Sequence, residues 1–336
     1  MSERFIYKSA LAPYMNGFIS LKEAAGVHTL RSKWILLEID KFYTSNEITD
    51  ASVTSDIITR WRKTRINDSP GTIYTKYSVW SQLTRFMCRQ GIECYIPPLP
   101  DNRSAKHGFT PYIFTREQIN DIMDKSAGLR LYDRHMDCAL MIVPAITRLL
   151  YSTGLRVSEA LSIRNRDVKL EDGHIHVRKT KNGHERVVPV CDSLKTVLQQ
   201  YMYYRDKMPL RNTSEPDAYL FIRTNGMPCG ASTVYTWFKR VLKECGIPHV
   251  GNHHGPRLHD LRHSYSVHAL EQMAREGMDL YAGMPVLSTC LGHRSLSATE
   301  QYVRLTREMY PDLAAMTSPV NAFIYSKVRK GVSYED

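Results

Sequence analysis

No two cysteines of this chain stand at the C-x-x-C spacing of a zinc ribbon or a redox motif. The seven present, Cys88, Cys94, Cys138, Cys191, Cys229, Cys245 and Cys290, are dispersed and odd in number. That excludes a disulfide frame and fits reduced, mostly buried thiols of a cytosolic protein. No apolar run approaches the roughly 20 residues of a membrane span. The opening residues, Met1 to Lys8, lack the apolar core of a signal peptide. A cytoplasmic protein without a membrane partner is therefore expected. Internal repeats and low-complexity tracts are also missing. Acidic charge is the scarcer sign, with 34 Asp and Glu against 45 Lys and Arg, a net charge of +11. Such a balance suits a polyanionic partner, although a soluble basic protein without one would look the same.

A length of 336 residues with 43% apolar side chains is enough for two domains, each with a core. The first hundred residues read as helical. Ser20 and Glu23 have capping-box spacing and predict a helix start there. Leu30, Trp34 and Leu37 recur at i, i+4, i+7 and predict one apolar helix face. Further helices are expected over residues 53–65 and 72–89, the second with Ile73, Tyr77, Trp80 and Leu83 as its stripe. Arg60, Arg62, Lys63, Arg65, Lys76, Arg85 and Arg89 lie on and beside these helices. They form a candidate DNA-binding set, and a plain solvated face would carry the same residues.

The composition then shifts. Residues 95–108 are rich in proline and polar side chains and read as an extended linker. The expected division is a helical domain over 1–100, a linker over 101–111 and a second domain over 112–336. In the second domain, Thr115 and Gln118 repeat the capping-box pattern. An apolar helix over 138–151 and another starting at Val157 follow. His174-Ile-His-Val177 and Glu185-Arg-Val-Val-Pro-Val190 flank Asn182-Gly183, which is a hairpin signal. The remainder from about Ser193 reads as helical. The fold class expected is mainly α with a small β-hairpin or sheet (α+β).

Six scattered residues carry most of the chemical information. Arg156 follows Gly154 at a loop-to-helix junction, with Glu159 three residues on as a supporting carboxylate. An arginine so placed can present its fork to a phosphate, or simply pair with that glutamate. Lys181 stands in the hairpin turn, where a lysine serves solubility or acts as a general acid. His259 and Arg262 are three apart and share a helix face. His259-Asp-Leu-Arg-His263 also has the spacing of the zinc-protease H-E-x-x-H motif, but Asp260 replaces the glutamate base and Arg262 puts a cation between the two ligands. No metal is expected on that ground. His249, His253, His254 and His268 read as loop or surface residues. His293 lies in Cys290-Leu-Gly-His293, and Tyr302 follows nine residues later. A phenol with a pKa near 10 needs neighbouring cations and a base before it can attack phosphate. Two arginines, two histidines and a lysine can supply that setting without a metal ion.

Residues 153–302 resemble the catalytic domain of the tyrosine recombinase (phage integrase) family. The resemblance rests on Thr153-Gly-Leu-Arg-Val-Ser-Glu159, His259-Asp-Leu-Arg-His263, and Leu291-Gly-His293 followed by Tyr302, which look like the three signature boxes in order. Lys181 matches the family's hairpin lysine, and the N-terminal part looks like its SAM-like core-binding domain. The resemblance implies that Tyr302 attacks a DNA phosphate to form a 3′-phosphotyrosyl link and releases a 5′-hydroxyl. Arg156, Arg262 and His293 stabilise the transition state, Lys181 protonates the leaving oxygen, and His259 takes part in proton transfer with Tyr302. No cofactor, metal or ATP is implied. The partner implied is double-stranded DNA with specific sites, bound by a homo-tetramer on two such sites that is a monomer in free solution, with accessory factors possible. The connection between Arg262 and His293 is longer than in many Xer-type members, and Leu291-Gly-His-Arg-Ser295 with the stretch from Tyr302 to Pro311 looks like recombinases of mobile elements. A terminal helix over 320–328 is expected, packed on its own domain or on a neighbouring protomer. The rival readings are a type IB topoisomerase-like nicking-closing enzyme and a catalytically silent DNA-binding protein of the same fold.

Overall fold

The structure, a computed structural model, describes residues 5–101, 110–130, 138–178, 180, 183–248, 250 and 255–313. Lys181, His249, His253, His254 and the terminal helix expected over 320–328 lie outside the described residues. The chain divides into two compact units, residues 1–110 and 111–336.

The first unit holds four helices: α1 (Ala12–Ala24), α2 (Leu30–Ser45), α3 (Ser55–Lys63) and α4 (Pro70–Arg89). Side-chain caps start the last two. Thr54 accepts from the Ile57 N–H, and Ser69 accepts from the Thr72 N–H with Pro70 opening the first turn. The core gathers Met15, Leu36, Ile39, Tyr43, Leu83 and Met87 around Trp61 and Trp80, whose rings meet edge-on at 5.7 Å. Buried Asp40 accepts the backbone N–H groups of Lys8 and Ser9 at 2.9 and 2.8 Å, which ties the leading segment to α2.

Two sequence expectations fail in this unit. Ser20 starts no helix, because α1 already begins at Ala12 and Ser20 lies in its second half. The Leu30–Trp34 face is the outer face of α2, with Leu30 and Trp34 63% and 45% exposed. The buried face is offset by one residue and runs through Ile35, Leu36, Ile39, Phe42 and Tyr43. Asp40 sits on that inner face, and a charge there hides the true stripe from a reading of apolar spacing.

The second unit opens with α5 (Arg116–Gly128), whose capping box between Thr115 and Gln118 is fully formed. Then come α6 (Ile142–Thr153) and the single turn α7 (Val157–Ala160). Next is a three-stranded antiparallel sheet of β1 (Val168–Lys169), β2 (His174–Val177) and β3 (Arg186–Pro189), in that spatial order. The β2–β3 pairing sets Ile175 opposite Val188 and His176 opposite Val187. Ile175, Val177 and Val188 face the core. Helices α8 (Asp192–Asp206), α9 (Ala231–Glu244), α10 (Asp260–Arg275), α11 (Leu280–Leu291) and α12 (Ser297–Met309) complete it. One core surrounds α6 with Ile146, Leu149 and Phe238, and a second lies between α10, α11 and α12 with Val267, Leu270, Leu287 and Leu291. No helix among the described residues is long and apolar enough to cross a membrane.

Two glycines end helices where the signature motifs sit. Gly154 closes α6 at φ +63°, and Gly292 closes α11 at φ +65°, both in the left-handed region that disfavours a side chain. A Cβ on Gly154 would lie 2.5 Å from the Tyr265 ring, and one on Gly292 would lie 2.7 Å from the Arg186 guanidinium. These close approaches bring the end of α6, the end of α11 and strand β3 onto the start of α10.

Candidate active site

Arg156 stands just after Gly154, in extended conformation, as the residue before α7. Glu159 holds it in two ways. One carboxylate oxygen accepts the Arg156 backbone N–H at 3.1 Å and the other accepts its Nη1 at 2.8 Å. Glu159 is only 1% exposed, and a lone buried carboxylate is costly. A second guanidinium compensates. Arg186 of β3 donates Nη2 to Glu159 at 2.8 Å and Nε to the Cys290 carbonyl at 2.8 Å. Burial pushes the Glu159 carboxyl up, but Arg186 and Arg156 outweigh it and hold the group below its ordinary range. Glu159 is therefore ionised at neutral pH.

Arg262, on the first turn of α10 and 2% exposed, is held by the same segments. Its Nη1 donates to the Gly154 carbonyl at 2.6 Å. Its Nη2 donates to the Leu291 carbonyl and lies 2.9 Å from His293 Nε2. A guanidinium can only donate, so His293 Nε2 accepts and the ring proton sits on Nδ1. That proton is donated to Thr299 Oγ1 at 2.8 Å. Burial, with Arg156 second, lowers Arg262 to about 10, still fully charged at neutral pH. His293 is lowered to about 4 by burial and by Arg262, so its imidazole is neutral there.

Tyr302, on α12, is 1% exposed. Its ring stacks on His293 at 6.3 Å and 11°. Its hydroxyl lies 2.9 Å from His263 Nδ1. Burial raises the phenol and Arg262 opposes that rise, leaving a net upward shift. His263, one helical turn after His259, is 8% exposed and lowered to about 3 by burial and by the cations around it. His259 precedes α10, and its ring meets that of His263 edge-on at 4.9 Å. The packed protein and Arg262, Arg156 and Arg257 hold His259 below its ordinary value.

The structure thus brings Arg156, Glu159, Arg262, His259, His293 and Tyr302 into one cluster. Arg186 and His263 join it, and sequence reasoning assigns neither. Arg186 carries a signal: it shares a strand face with Val188, so a charge points inward. The sequence offers His263 only as a metal-ligand position, whereas its Nδ1 is engaged by Tyr302. Among the described residues, no group of three or more His, Cys, Asp or Glu is placed to hold a metal ion. His268 is a correction. It is 4% exposed on α10, with Nδ1 2.9 Å from the Tyr151 hydroxyl, and is no surface residue.

The candidate DNA-binding set divides. Arg60, Lys63, Arg85 and Arg89 are exposed, and Arg62 is half-buried. Lys76 is a correction: it is 8% exposed, and its ammonium contacts Glu38 at 2.6 Å and Asp68 at 2.8 Å. Its charge is neutralised inside the first unit. Arg65 shares Glu38 at 3.1 Å.

Buried, interlocked cations around a tyrosine hydroxyl define a centre suited to an anionic, phosphate-like group. Residues 113–309 match the phage integrase family, and the chain belongs to it. It is 32% identical over 199 residues to the tyrosine recombinase XerA of Pyrococcus furiosus, spanning 58% of this chain and 58% of that protein. Among solved structures, the XerH site-specific recombinase, in a post-cleavage complex with a palindromic difH substrate, aligns with a TM-score of 0.62. The identity there is 18%, over 84% of this chain and 78% of that one. The Tn1549 transposon integrase, in complex with a circular intermediate DNA, aligns at 0.61 with 18% identity, over 86% and 94%. At such identities the likeness is one of fold.

Proposed function

We propose that this chain is a site-specific DNA recombinase that cleaves and rejoins strands through a covalent 3′-phosphotyrosine at Tyr302, in the service of a mobile element. The observation that carries the reading is one cluster in which Glu159 holds Arg156, Arg262 contacts His293, and His293 stacks on Tyr302. Arg156 and Arg262 bind the non-bridging oxygens of the scissile phosphate, and His293 holds the Arg262 guanidinium and stacks on the Tyr302 ring beside them. His259, at the mouth of the cluster, contacts the same phosphate. Charge developing on those oxygens meets donors already fixed by Glu159, Gly154 and Leu291. Losing one such preorganised donor costs about 10²–10³ in rate. Lys181, assigned from sequence alone, protonates the departing 5′-oxygen. Bond energy stays in the phosphotyrosyl ester, so the reaction runs without metal or ATP.

In this reading the first unit is the core-binding domain and the stretch over 101–111 its linker. Arg60, Arg62, Lys63, Arg85 and Arg89 face the DNA backbone, with Arg65 partly committed to Glu38. Four protomers act on two sites, as cytoplasmic proteins bound to DNA. A nicking-closing enzyme would share the tyrosine chemistry, but it would neither need a defined site nor join two duplexes.

The test is a nicked suicide substrate carrying the element's end. Wild type accumulates a covalent protein–DNA adduct, whereas Tyr302→Phe binds the same DNA and forms none. An adduct that persists in Tyr302→Phe overturns the assignment.

A further inference from the structure

An imidazole nitrogen lies against the nucleophile: His263 Nδ1, 2.9 Å from the Tyr302 hydroxyl. Resting on the reading of Tyr302 as nucleophile, we propose that His263 is a catalytic residue, the group that takes the phenolic proton as Tyr302 attacks phosphate and returns it on rejoining. His259 meets the His263 ring edge-on at 4.9 Å, and the imidazole in contact with the hydroxyl is that of His263.

Geometry supports this in three respects. The 2.9 Å separation is within direct proton-transfer reach. His263 and Tyr302 are both buried, so water does not compete for the proton. His293, the other imidazole beside Tyr302, has its Nε2 lone pair on Arg262 and its Nδ1 proton on Thr299, and offers no free lone pair. A neutral His263 with its proton on Nε2 presents Nδ1 to the phenol as an acceptor.

The bonds balance. The phenolic O–H breaks and its proton passes to Nδ1, giving an imidazolium. The phenolic oxygen bonds to phosphorus while the bond from phosphorus to the 5′-oxygen breaks, and that oxygen leaves with a proton from the general acid. Rejoining reverses each step, with the imidazolium protonating the departing tyrosine.

Among the described residues, the charged and titratable groups facing His263 include Arg262 on its own helix, His259 and Arg257 before it, His293 after α11 and Tyr302 on α12. Burial and these cations make an imidazolium costly in the free protein. The negative phosphodiester that Arg156 and Arg262 bind removes part of that cost. Proton transfer is thereby tied to substrate occupancy: the base becomes competent only when DNA is seated.

The experiment is single-turnover adduct formation on a suicide substrate between pH 6.5 and 9. Wild type is expected to be flat over that range. His263→Asn keeps an acceptor near the hydroxyl but cannot take a proton. It is expected to be about 10²–10⁴-fold slower at pH 7, with a rate that climbs about tenfold per pH unit as the phenol itself ionises. A merely positioning role leaves the profile flat in His263→Asn. A flat profile, a wild-type rate, or the same climb in His259→Asn instead of His263→Asn overturns the proposal. A second measurement needs no change at position 263: 3,5-difluorotyrosine at position 302, in the otherwise unaltered protein, should leave the profile flat. A profile that follows the lowered phenol pKa shows proton loss to solvent and also overturns it. Failure of the nucleophile reading is distinct, since it shows as adduct formation by Tyr302→Phe.

Discussion

Glu159→Gln is the perturbation whose consequence the structure fixes most closely. The wild-type carboxylate is 1% exposed and neutralises Arg156 and Arg186 through contacts of 2.8 Å each, with the Arg156 N–H at 3.1 Å. Glutamine has the same shape and one acceptor oxygen. Its NH₂ must face one of the two guanidinium groups, so one contact becomes repulsive and the other loses its charge. Breaking a buried ion pair by removing one partner costs about 3–5 kcal/mol. With one hydrogen bond retained, about 3 kcal/mol is expected. In a domain of this size that lowers Tm by roughly 6–12 °C. Differential scanning calorimetry at pH 7 reads it directly. The same change frees Arg156 from its anchor, so adduct formation should fall by about 10²-fold, as for a misplacement near 1 Å. DNA binding should persist. A Tm within about 2 °C of wild type would refute the view that Glu159 is the buried counter-ion joining the two arginines.

Three further outcomes follow from the same geometry. Gly292→Ala, at φ +65° with a Cβ 2.7 Å from Arg186, should lower Tm and slow cleavage. Gly246→Ala, at φ +67° with nothing within 4 Å, should carry only the backbone cost of about 1–2 kcal/mol and leave cleavage unchanged; equal behaviour on melting and cleavage assays would refute the close-approach argument. Buried His263 and His268 are lowered to about 3 and about 4, so the unfolded chain binds more protons below pH 6.5. Their contribution is present above pH 6.5 and is lost as pH falls towards 4, costing on the order of 1–2 kcal/mol each by pH 5; a melting temperature flat from pH 7 to 5 would contradict it. Lys181→Ala should be slow on ordinary DNA and recover on a substrate with a 5′-bridging phosphorothiolate, whose leaving sulfur needs no proton; failure to recover would remove the general-acid role.

The motifs that shape the backbone are legible in the sequence itself. Gly154 and Gly292 end helices, and Thr115 with Gln118 starts one, because capping and left-handed geometry are local properties. The hairpin is legible from alternation, but β1, with two residues, is too short to show a period. The second helix defeats a reading by apolar spacing, because burial there depends on tertiary partners, and the capping-box spacing of Ser20 and Glu23 falls inside the first helix. Trp34 meets Phe5 in an edge-on pair on the outer face, and Asp40 is buried to hold the leading backbone. Lys76 reads as a phosphate contact because its partners, Glu38 and Asp68, are 38 and 8 residues away. The roles of Arg186 and His263 are hidden for the same reason. Each acts through a residue distant in sequence, Glu159 for one and Tyr302 for the other.

The central claim is that Tyr302 becomes covalently joined to the 3′-phosphate of cleaved DNA. The direct measurement is mass spectrometry of the adduct, formed on a suicide substrate in EDTA without nucleotide, then digested with nuclease and trypsin. The account predicts a phosphonucleotide on the peptide of residues 295–304, with a free 5′-hydroxyl on the released strand. A modification on Tyr310, a 5′-linked nucleotide, or cleavage only when a divalent metal is supplied would contradict it.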